Sequence, residues 1–392
     1  MLTCGCSQEP GEGRAREVLT GIDVLERDGF ATLRGRRVGL VTNHTGRDRN
    51  GTTTARVLAD APGVELVALF SPEHGLRGTL DVAGIADGRD GETSLRVLSL
   101  YGETRKPTAA MLQGMDTLVF DIQDIGTRFY TYISTMGLAM EAAAEHGLRF
   151  VVLDRPNPIN GVAVAGPVLD GGREAFVGFH RLPVRHGMTV GELAGMFAAE
   201  RGLGLDLHVV RMQGWCRTDY LDDTGLGWVD PSPNMRSLTA ALLYPGIGLL
   251  ETTNLSVGRG TDTPFELAGA PWLDGARLAE ALGRAKLSGL RVEPTAFTPA
   301  SSKFAGERCG GVRLVVTDRD AFRPVRTGLE IARCLRLLYP EAWHIDACDH
   351  LLRHGPTLAA LREARPVDEV ESAYESGLKD FLERRARCLL YE

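Results

Sequence analysis

The chain has 392 residues, of which 43% are apolar and 24% charged, a composition typical of a globular protein with more than one domain. The formal net charge is −7 and no basic cluster is present, which argues against nucleic acid or an anionic membrane surface as a partner. No apolar run reaches the ~18–20 residues that a membrane-spanning helix needs, so we expect no transmembrane segment.

The N-terminal stretch MLTCGCSQEPGEGRARE lacks the apolar region of an intact secretory signal. Cys4 and Cys6 stand ahead of a polar, glycine-rich tether, an arrangement that resembles the end of a lipoprotein signal. Two interpretations stay open for residues 1–20. They form a plain flexible tail, or they are the remnant of a signal whose Cys4 or Cys6 carries a lipid anchor.

Four short apolar runs predict parallel strands that are buried on both faces, at 36–43, 64–71, 116–124 and 149–157. Helical patterns lie at 52–61, 130–146 and 188–202. The last of them offers a capping box made by Thr189 and Glu192. This alternation predicts an α/β fold, with a Rossmann-like, doubly wound and mostly parallel sheet over residues 21–242.

The amino-acid composition changes after residue 243. A stretch rich in glycine, threonine and proline at 244–272 predicts a long ordered loop, and such loops are usually functional. Further helices are predicted at 274–286, 325–338 and 368–388, and a strand near 312–317. We interpret residues 243–392 as a smaller α+β domain.

Polar side chains follow each of the four predicted strands. In chain order they are Asn43 and His44, Glu73 and His74, Asp121 and Asp124, and Asp154 and Asn157. Ligands of open α/β sheets bind beyond the carboxyl ends of the strands. These residues therefore predict a polar crevice that holds at least two carboxylates.

Glu73 is the strongest candidate among them. Pro72 restricts the backbone ahead of it, and Gly75 allows a sharp exit from the strand. This frame would hold Glu73 and His74 rigidly, as catalysis requires. The alternative is a surface turn with a solvated glutamate.

The roles of the next carboxylates are more open. Asp121 and Asp124 either take part in the site, or one of them caps the helix that begins near Thr127 or pairs with Arg128. Asp154 lies in a proline-rich turn, where we expect a structural role.

Further candidates lie outside the strand ends. Arg185 and His186 precede a helix N-terminus, a natural position for binding an anion, although a lone histidine is often structural. Asn234, in the loop WVDPSPNM, would either bind a substrate hydroxyl or stabilise the turn in which it lies.

The glycine-rich loop supplies Glu251, Asn254, Arg259 and Glu266. These side chains suit substrate binding. An ion pair between Glu251 and Arg259 that holds the loop together is the competing interpretation.

The motifs of several common chemistries are missing from the sequence. We find no GxxxxGK[ST], no GxGxxG after the first strand, no GxSxG and no HExxH, and we therefore predict neither a cofactor nor a metal. The remaining carboxylates, amides, aromatic rings and arginine are the parts of a carbohydrate site, in which a carboxylic acid protonates a glycosidic oxygen.

Several long segments together resemble the exo-β-N-acetylmuramidases of the NamZ family. They are GLVTNHTG, LFSPEHGLRG, VFDIQDIGTRFYTYISTM, LDRPNPING, RHGMTVGEL, PSPNM, YPGIGLLETTNLSVGRGT and PFELAGAPW. The resemblance covers residue 21 to the end. It implies a Rossmann-like domain, a smaller C-terminal domain that closes a cleft, and release of N-acetylmuramic acid from non-reducing ends of peptidoglycan fragments.

The resemblance also implies roles for individual residues. Glu73 is the catalytic acid, and His74 and the DIQD, RFYTY and TNLSVGRGT segments, which include Asp121, Asp124, Arg128 and Tyr130, line the cleft. We expect Asp121 or Asp124 to orient the 2-acetamido group or a water. Arg185, His186 or Arg259 would meet the lactyl carboxylate.

Two other functions stay open on the sequence. One is a non-catalytic protein that binds cell-wall saccharides, and the other is an amidase or esterase, for which no nucleophile–histidine pair is recognisable. For a peptidoglycan-directed protein of a bacterium we expect a location outside the cytoplasm, in the periplasm or cell envelope.

Overall fold

The structure is a computed structural model that describes residues 17–392. Its strands are β1 Arg37–Thr42, β2 Glu65–Ser71, β3 Gly88–Arg89, β4 Arg96–Ser99, β5 Thr117–Asp121, β6 Arg149–Leu153, β7 Ala165–Val168, β8 Pro183–Arg185, β9 Leu207–Val210, β10 Leu267–Ala270, β11 Leu290–Phe297 and β12 Cys309–Val316. Its α-helices are α1 Gly21–Arg27, α2 Thr54–Asp60, α3 Tyr132–Glu145, α4 Val190–Glu200, α5 Leu238–Ile247, α6 Gly275–Arg284, α7 Pro324–Leu338, α8 Asp349–Leu352, α9 Gly355–Arg362, α10 Val367–Ser372 and α11 Glu375–Ala386.

The four predicted strands form the centre of a seven-stranded sheet. Its order is β3-β4-β2-β1-β5-β6-β9, and every neighbouring pair is parallel except β3 with β4. The chain runs outward from β1 to one edge and then returns to β5 to build the other. The sheet therefore changes direction between β1 and β5, as in a doubly wound fold, and the predicted α/β class is confirmed.

Helices cover both faces of this sheet. The strand β6 shows why, since Phe150 and Val152 point to one core and Val151 and Leu153 to the other. Helices α1 and α2 pack on one face, and α3 and α4 on the opposite face. The capping box of Thr189 and Glu192 begins α4 as predicted.

The C-terminal domain holds an antiparallel sheet of order β10-β12-β11, against which α6 packs. Helices α5 and α7 cross at two glycines, and a Cβ on Gly246 would lie 1.9 Å from the Pro324 carbonyl oxygen. One apolar core runs from the first domain through this crossing into the second. The expected second, smaller domain is therefore present, and the two domains are packed together.

Two expectations about the C-terminal half need correction, and a third stays untested. Residues 244–247 belong to α5, which contains Pro245, and only the following stretch is the predicted loop. The predicted segment 368–388 is two helices, α10 and α11. The predicted division after residue 242 falls inside α5, and its exact place stays a prediction.

The described chain begins with residues already packed against the first domain. Val18 is buried, and Leu19 pairs with Gln213 as an isolated bridge. The expectation of a tail or lipid anchor at Cys4 or Cys6 lies outside the described residues. None of the helices over 17–392 is long and apolar enough to span a bilayer.

Candidate active site

Glu73 lies in a tight turn at the carboxyl end of β2. The Gly75 amide donates to the Pro72 carbonyl at 3.0 Å, and both His74 and Gly75 adopt left-handed backbone conformations, with φ of 69° and 74°. The His74 ring nitrogen Nδ1 lies 2.6 Å from the Leu80 carbonyl oxygen. The proline–glycine frame predicted from the sequence is therefore present. His74, at its centre, occupies a conformation that costs energy for a non-glycine residue.

Two hydroxyl groups hold the Glu73 carboxylate. The Thr131 hydroxyl, at the N-cap of α3, donates to Glu73 Oε2. The Tyr101 phenol also forms a hydrogen bond with the Glu73 carboxylate. Burial, followed by the charge and hydrogen bond of Glu73, raises the pKa of Tyr101 to about 12, so the phenol keeps its proton at neutral pH. The acid is thus oriented from β2, from the loop after β4 and from α3.

Glu73 opens into a cavity of about 210 Å³, which we call the Glu73 cavity. Both domains line it. The N-terminal domain contributes Glu73, His74, Asp81 and residues 129–132, and the C-terminal domain contributes Tyr244, Glu251, Arg259 and His350. The predicted acid therefore faces a cleft between the two domains.

Aromatic rings form one wall of the Glu73 cavity. Tyr130 meets Tyr132 edge to face with ring centroids 5.0 Å apart, and Tyr244 meets Phe265 in the same way at 4.7 Å. Tyr130 and Tyr244 are 5.9 Å apart and join the two pairs across the domain boundary. Such an apolar wall beside polar groups is typical of sites that bind small molecules.

A chain of charges crosses the mouth of the Glu73 cavity. Arg259 donates to both oxygens of Asp81, at 3.0 and 2.7 Å, and also to Glu251. Burial alone would raise the pKa of Asp81, but the hydrogen bond and charge of Arg259, with His74 and Asn234, lower it overall. Burial also opposes the charge of Arg259, yet Glu251 and Asp81 raise the pKa of this guanidinium above its usual range. The ion pair considered as the alternative for Glu251 and Arg259 is present, and it lies in the cleft.

Six of the residues predicted from the sequence line the Glu73 cavity: Glu73, His74, Tyr130, Asn234, Glu251 and Arg259. Seven do not: Asn43, Asp121, Asp124, Arg128, Arg185, His186 and Asn254. The structure gives most of the second group packing or turn contacts, which correct the expectation that they meet substrate there.

Asp121 and Asp124 are buried and do not line the Glu73 cavity. Asp121 is fully buried. Both of its carboxylate oxygens accept hydrogen bonds from Arg155, and one also accepts from the Thr54 hydroxyl. Asp124 accepts from the Gly126 amide at 2.7 Å, and His186 Nε2 lies 3.5 Å from the same oxygen. Both aspartates therefore have structural contacts, but not the predicted ones, because α3 begins at Tyr132 and Arg128 donates to backbone carbonyls and not to either aspartate.

The side chains of Asn43 and Asn254 form hydrogen bonds with backbone groups. The Asn43 side-chain oxygen accepts from the amide and hydroxyl of Thr45, which forms a turn after β1. Asn254 bridges the Ala342 carbonyl and the His344 amide at 2.7 and 2.8 Å. Neither side chain lines the Glu73 cavity, although Asn43 Nδ2 has no hydrogen-bond partner within residues 17–392.

Arg128 is a buried clamp between the domains. Its guanidinium donates to the carbonyls of Pro167 and Leu182 in the first domain and of Leu351 and Leu352 in the second. Burial lowers the pKa of Arg128 to about 9.

The expected structural role of Asp154 is also confirmed, because it accepts from the Gly191 amide and from the hydroxyls of Thr189 and Tyr391.

Several lining residues were not predicted. Asp81 lies in an exposed loop without a recognisable pattern, and His350 comes from α8, far along the chain. Thr131 and Tyr132 stand inside the quoted RFYTY segment, so that motif contained a signal for them. Within residues 17–392 no three His, Cys, Asp or Glu side chains are grouped so as to hold a metal ion.

Two other cavities are larger than the Glu73 cavity. One, of about 650 Å³, lies beyond β1 and β5 and includes Thr45, Gln123 and Arg155. Arg155 is already paired with Asp121 there. The other, of about 600 Å³, contains Arg185. We place the candidate active site in the smaller cavity because it alone of these three holds Glu73, with its oriented carboxylate.

An α/β domain that presents a hydroxyl-oriented carboxylic acid to a polar and aromatic cleft, closed by a second domain, suits a carbohydrate-active protein. Comparison with known proteins agrees with this class. The profile of the N-terminal domain of exo-beta-N-acetylmuramidase NamZ matches residues 38–239, and that of its C-terminal domain matches 242–391. The chain belongs to the NamZ family.

Individual relatives extend over nearly the whole chain. The peptidoglycan beta-N-acetylmuramidase NamZ of Bacillus subtilis strain 168 is 44% identical over 379 residues, which is 96% of this chain and 92% of the relative. A DUF1343 family protein of Bacteroides fragilis NCTC 9343, known from a crystal structure, is 38% identical with a TM-score of 0.90 over 97% of this chain and 100% of its own. A second crystal structure from that organism is 29% identical, with a TM-score of 0.78 over 96% of this chain and 99% of its own.

Proposed function

We propose that this protein is an exo-acting β-N-acetylmuramidase that releases N-acetylmuramic acid from non-reducing ends of peptidoglycan fragments, with Glu73 as general acid. One observation carries the assignment of the acid: Glu73 stands at the end of β2 in a cavity shared by both domains. The similarity to the Bacillus subtilis peptidoglycan beta-N-acetylmuramidase supports the substrate.

The size of the cavity supports action at chain ends. At about 210 Å³ it is smaller than the ~300–1,000 Å³ of sites that enclose drug-sized ligands. A terminal sugar residue suits that space better than an internal stretch of a glycan. Asp81, on the loop after Glu73, pairs with Arg259 across this cavity.

Glu73 protonates the leaving glycosidic oxygen, while Thr131 and Tyr101 keep its carboxyl group in place. The other carboxylates of the cavity, Asp81 and Glu251, are both engaged with Arg259. We therefore assign the attack on the anomeric carbon to the 2-acetamido group of the substrate, as in other substrate-assisted glycosidases. Asp124 lies behind the aromatic wall and takes no direct part.

Arg259 recognises the lactyl carboxylate of the muramic acid. Of the three groups considered from the sequence, it is the one that lines the Glu73 cavity, whereas Arg185 lines another and His186 is fully buried. A planar guanidinium can bind a carboxylate through two parallel hydrogen bonds.

The test is turnover of a chromogenic muramide by Glu73→Gln. Loss of a general acid costs about 10²–10⁴-fold in rate, and we expect a loss in that range with an unchanged melting temperature. Glu65→Gln, at the exposed opposite end of β2, is the matched control and should keep full activity. Turnover by Glu73→Gln within a few fold of wild type would remove Glu73 from the role. Stabilisation of the wild type by muramide without any release would instead indicate a saccharide-binding protein.

We also propose that the protein acts outside the cytoplasm, where peptidoglycan lies. A lipid anchor at Cys4 or Cys6 belongs to the same proposal. Fractionation of cells that express the native gene, with radiolabelled palmitate, tests both parts. Recovery of unlabelled protein in the cytoplasm would contradict them.

A further inference from the structure

The Arg185 cavity lies between the two domains and shares no lining residue with the Glu73 cavity. Its volume is about 600 Å³. The first domain contributes Asn160, Arg185 and Tyr220, and the second contributes the start of α7 together with α10 and α11. The proposed hydrolase reaction leaves this cavity without a use.

Arg185 is a buried charge without a carboxylate partner. Only 4% of its surface is exposed, and no Asp or Glu of the described residues lies within 4.0 Å of its guanidinium. One terminal nitrogen donates to the Ile159 carbonyl, the Tyr220 hydroxyl lies beside the group, and Nε has no acceptor within residues 17–392. Burying an unpaired charge is expensive, so an anion at this place would be favoured.

A second cation and a helix terminus lie around the same space. Arg323, which is exposed, precedes α7 and faces Arg185 closely enough to lower the pKa of that guanidinium, although burial is the larger cause. The pKa of Arg185 is still about 10, so this guanidinium is cationic at neutral pH. Arg323 gives α7 no side-chain cap, which leaves amide groups of the first turn unpaired at the cavity wall.

The acidic residues around the Arg185 cavity are engaged or peripheral. Asp368 and Glu371 both pair with Arg326, and Asp320 accepts from the Tyr220 hydroxyl at 3.0 Å. Glu375 is exposed at the edge. The uncharged Tyr220 phenol does not neutralise Asp320, but within residues 17–392 neither Arg185 nor Arg323 has a carboxylate within 4.0 Å.

Much of the remaining wall is apolar. Val164, Phe322, Val325 and Leu378 line it, and Val162 at its border is 55% exposed. We propose that the Arg185 cavity is a second ligand site that binds a small organic carboxylate, with its anionic group at Arg185 and Arg323 and its apolar part along this wall. The proposal does not depend on the role of Glu73.

The test uses a pair of ligands that differ in one charge. N-acetyl-alanyl-alanine and its C-terminal amide are titrated into the full chain by calorimetry, with thermal melting as a second readout. We expect the acid to bind at least ~10-fold more tightly than the amide, because a charge-assisted pair with a buried guanidinium is lost in the amide. Equal binding of the two, or no binding of either, would overturn the proposal.

Variants locate the site. Arg323→Gln changes an exposed side chain and is expected to weaken acid binding several-fold, whereas Arg308→Gln, also exposed but outside the cavity, should leave it unchanged. Arg185→Met should abolish binding if the variant folds, and Arg323→Gln decides the question if it does not. Glu73→Gln should bind the acid as the wild type does. Unaltered binding to Arg323→Gln would overturn the assignment.

Inorganic phosphate provides the last arm of the experiment. It carries charge but no apolar part, so we expect it to bind more weakly than the dipeptide acid. Phosphate that binds as tightly as the acid would overturn the assignment of an organic ligand.

Discussion

Arg259 of the C-terminal domain holds both carboxylate oxygens of Asp81, which the N-terminal domain contributes on the loop after Glu73. The pair closes the mouth of the Glu73 cavity. In the proposed function Arg259 also meets the carboxylate of the substrate. Asp81 thus occupies the place of a ligand carboxylate, and the two must exchange when substrate binds.

Asp81→Asn removes this competitor and is expected to lower KM for a muramide about 3–10-fold, because ion pairs at partly exposed sites contribute little more than ~1 kcal/mol. The corresponding glucosaminide, which lacks the lactyl group, should show no such gain. Asp262→Asn, on the exposed part of the same C-terminal loop as Arg259, is the control. A KM for the muramide that rises with Asp81→Asn would show that Asp81 itself assists binding.

Replacing the clamp between the domains should destabilise the whole protein. Arg128→Met removes a donor from four buried carbonyls, of which that of Leu182 keeps another, the Leu169 amide. We expect the free energy of unfolding to fall by about 3–5 kcal/mol. Urea denaturation measures this. Arg284→Met, at an exposed ion pair on α6, should stay within about 0.5 kcal/mol of wild type. A loss below 1 kcal/mol for Arg128→Met, on the order of a single surface contact, would show that the clamp is dispensable.

Two glycine substitutions in helices should act in opposite directions. Gly246→Ala places a methyl group against the Pro324 carbonyl where α5 and α7 cross, and should cost about 1–3 kcal/mol. Gly195→Ala in α4, where nothing lies within 4 Å of the new carbon, should stabilise the protein by about 0.5–1 kcal/mol. A melting temperature of Gly246→Ala at or above that of wild type would contradict the tight crossing.

The buried Asp154 should make stability depend on pH. Burial, opposed by hydrogen bonds from Tyr391, Gly191 and Thr189, raises its pKa from 3.8 to about 6. The folded state therefore binds the proton more tightly than the unfolded state. This group's favourable contribution is complete below pH 3.8 and is lost as the pH rises to 6, by about 3 kcal/mol at most.

Asp154→Asn does not titrate and supplies the comparison. Its free energy of unfolding, measured by urea between pH 4 and 7, should improve relative to that of wild type as the pH rises. A difference between the two proteins that is constant over this range would show that Asp154 keeps the same charge throughout.

The central strands and their helices could be predicted because their patterns are local. A continuous apolar run such as 64–71 marks a strand that is buried on both faces, whatever its neighbours are. The strand β11 escaped prediction because it lies at the edge of its sheet, carries Pro294 and has partly exposed residues along its length. Its pairing with β12 is not visible in its own sequence.

The same distinction divides the candidate site. The frame around Glu73 is made by its immediate neighbours, so the sequence identified it. The fate of Asp121 depends on Arg155, which stands 34 residues later, and only the fold brings the two together. Asp81 had no distinguishing neighbours, and its importance comes entirely from Arg259 across the cleft.

The hydroxyl of Tyr391 on the buried Asp154 has a consequence for biosynthesis. Leu390 and Arg385 likewise bond to groups of the first domain, at Glu192 and Gly187. During translation the Rossmann-like domain therefore emerges from the ribosome before the Tyr391 hydroxyl can reach Asp154, which until then has the donors of its own domain, Thr189 and Gly191. Its final packing has to wait for the synthesis of residues 385–391, so the folding of the first domain is coupled to that of the second.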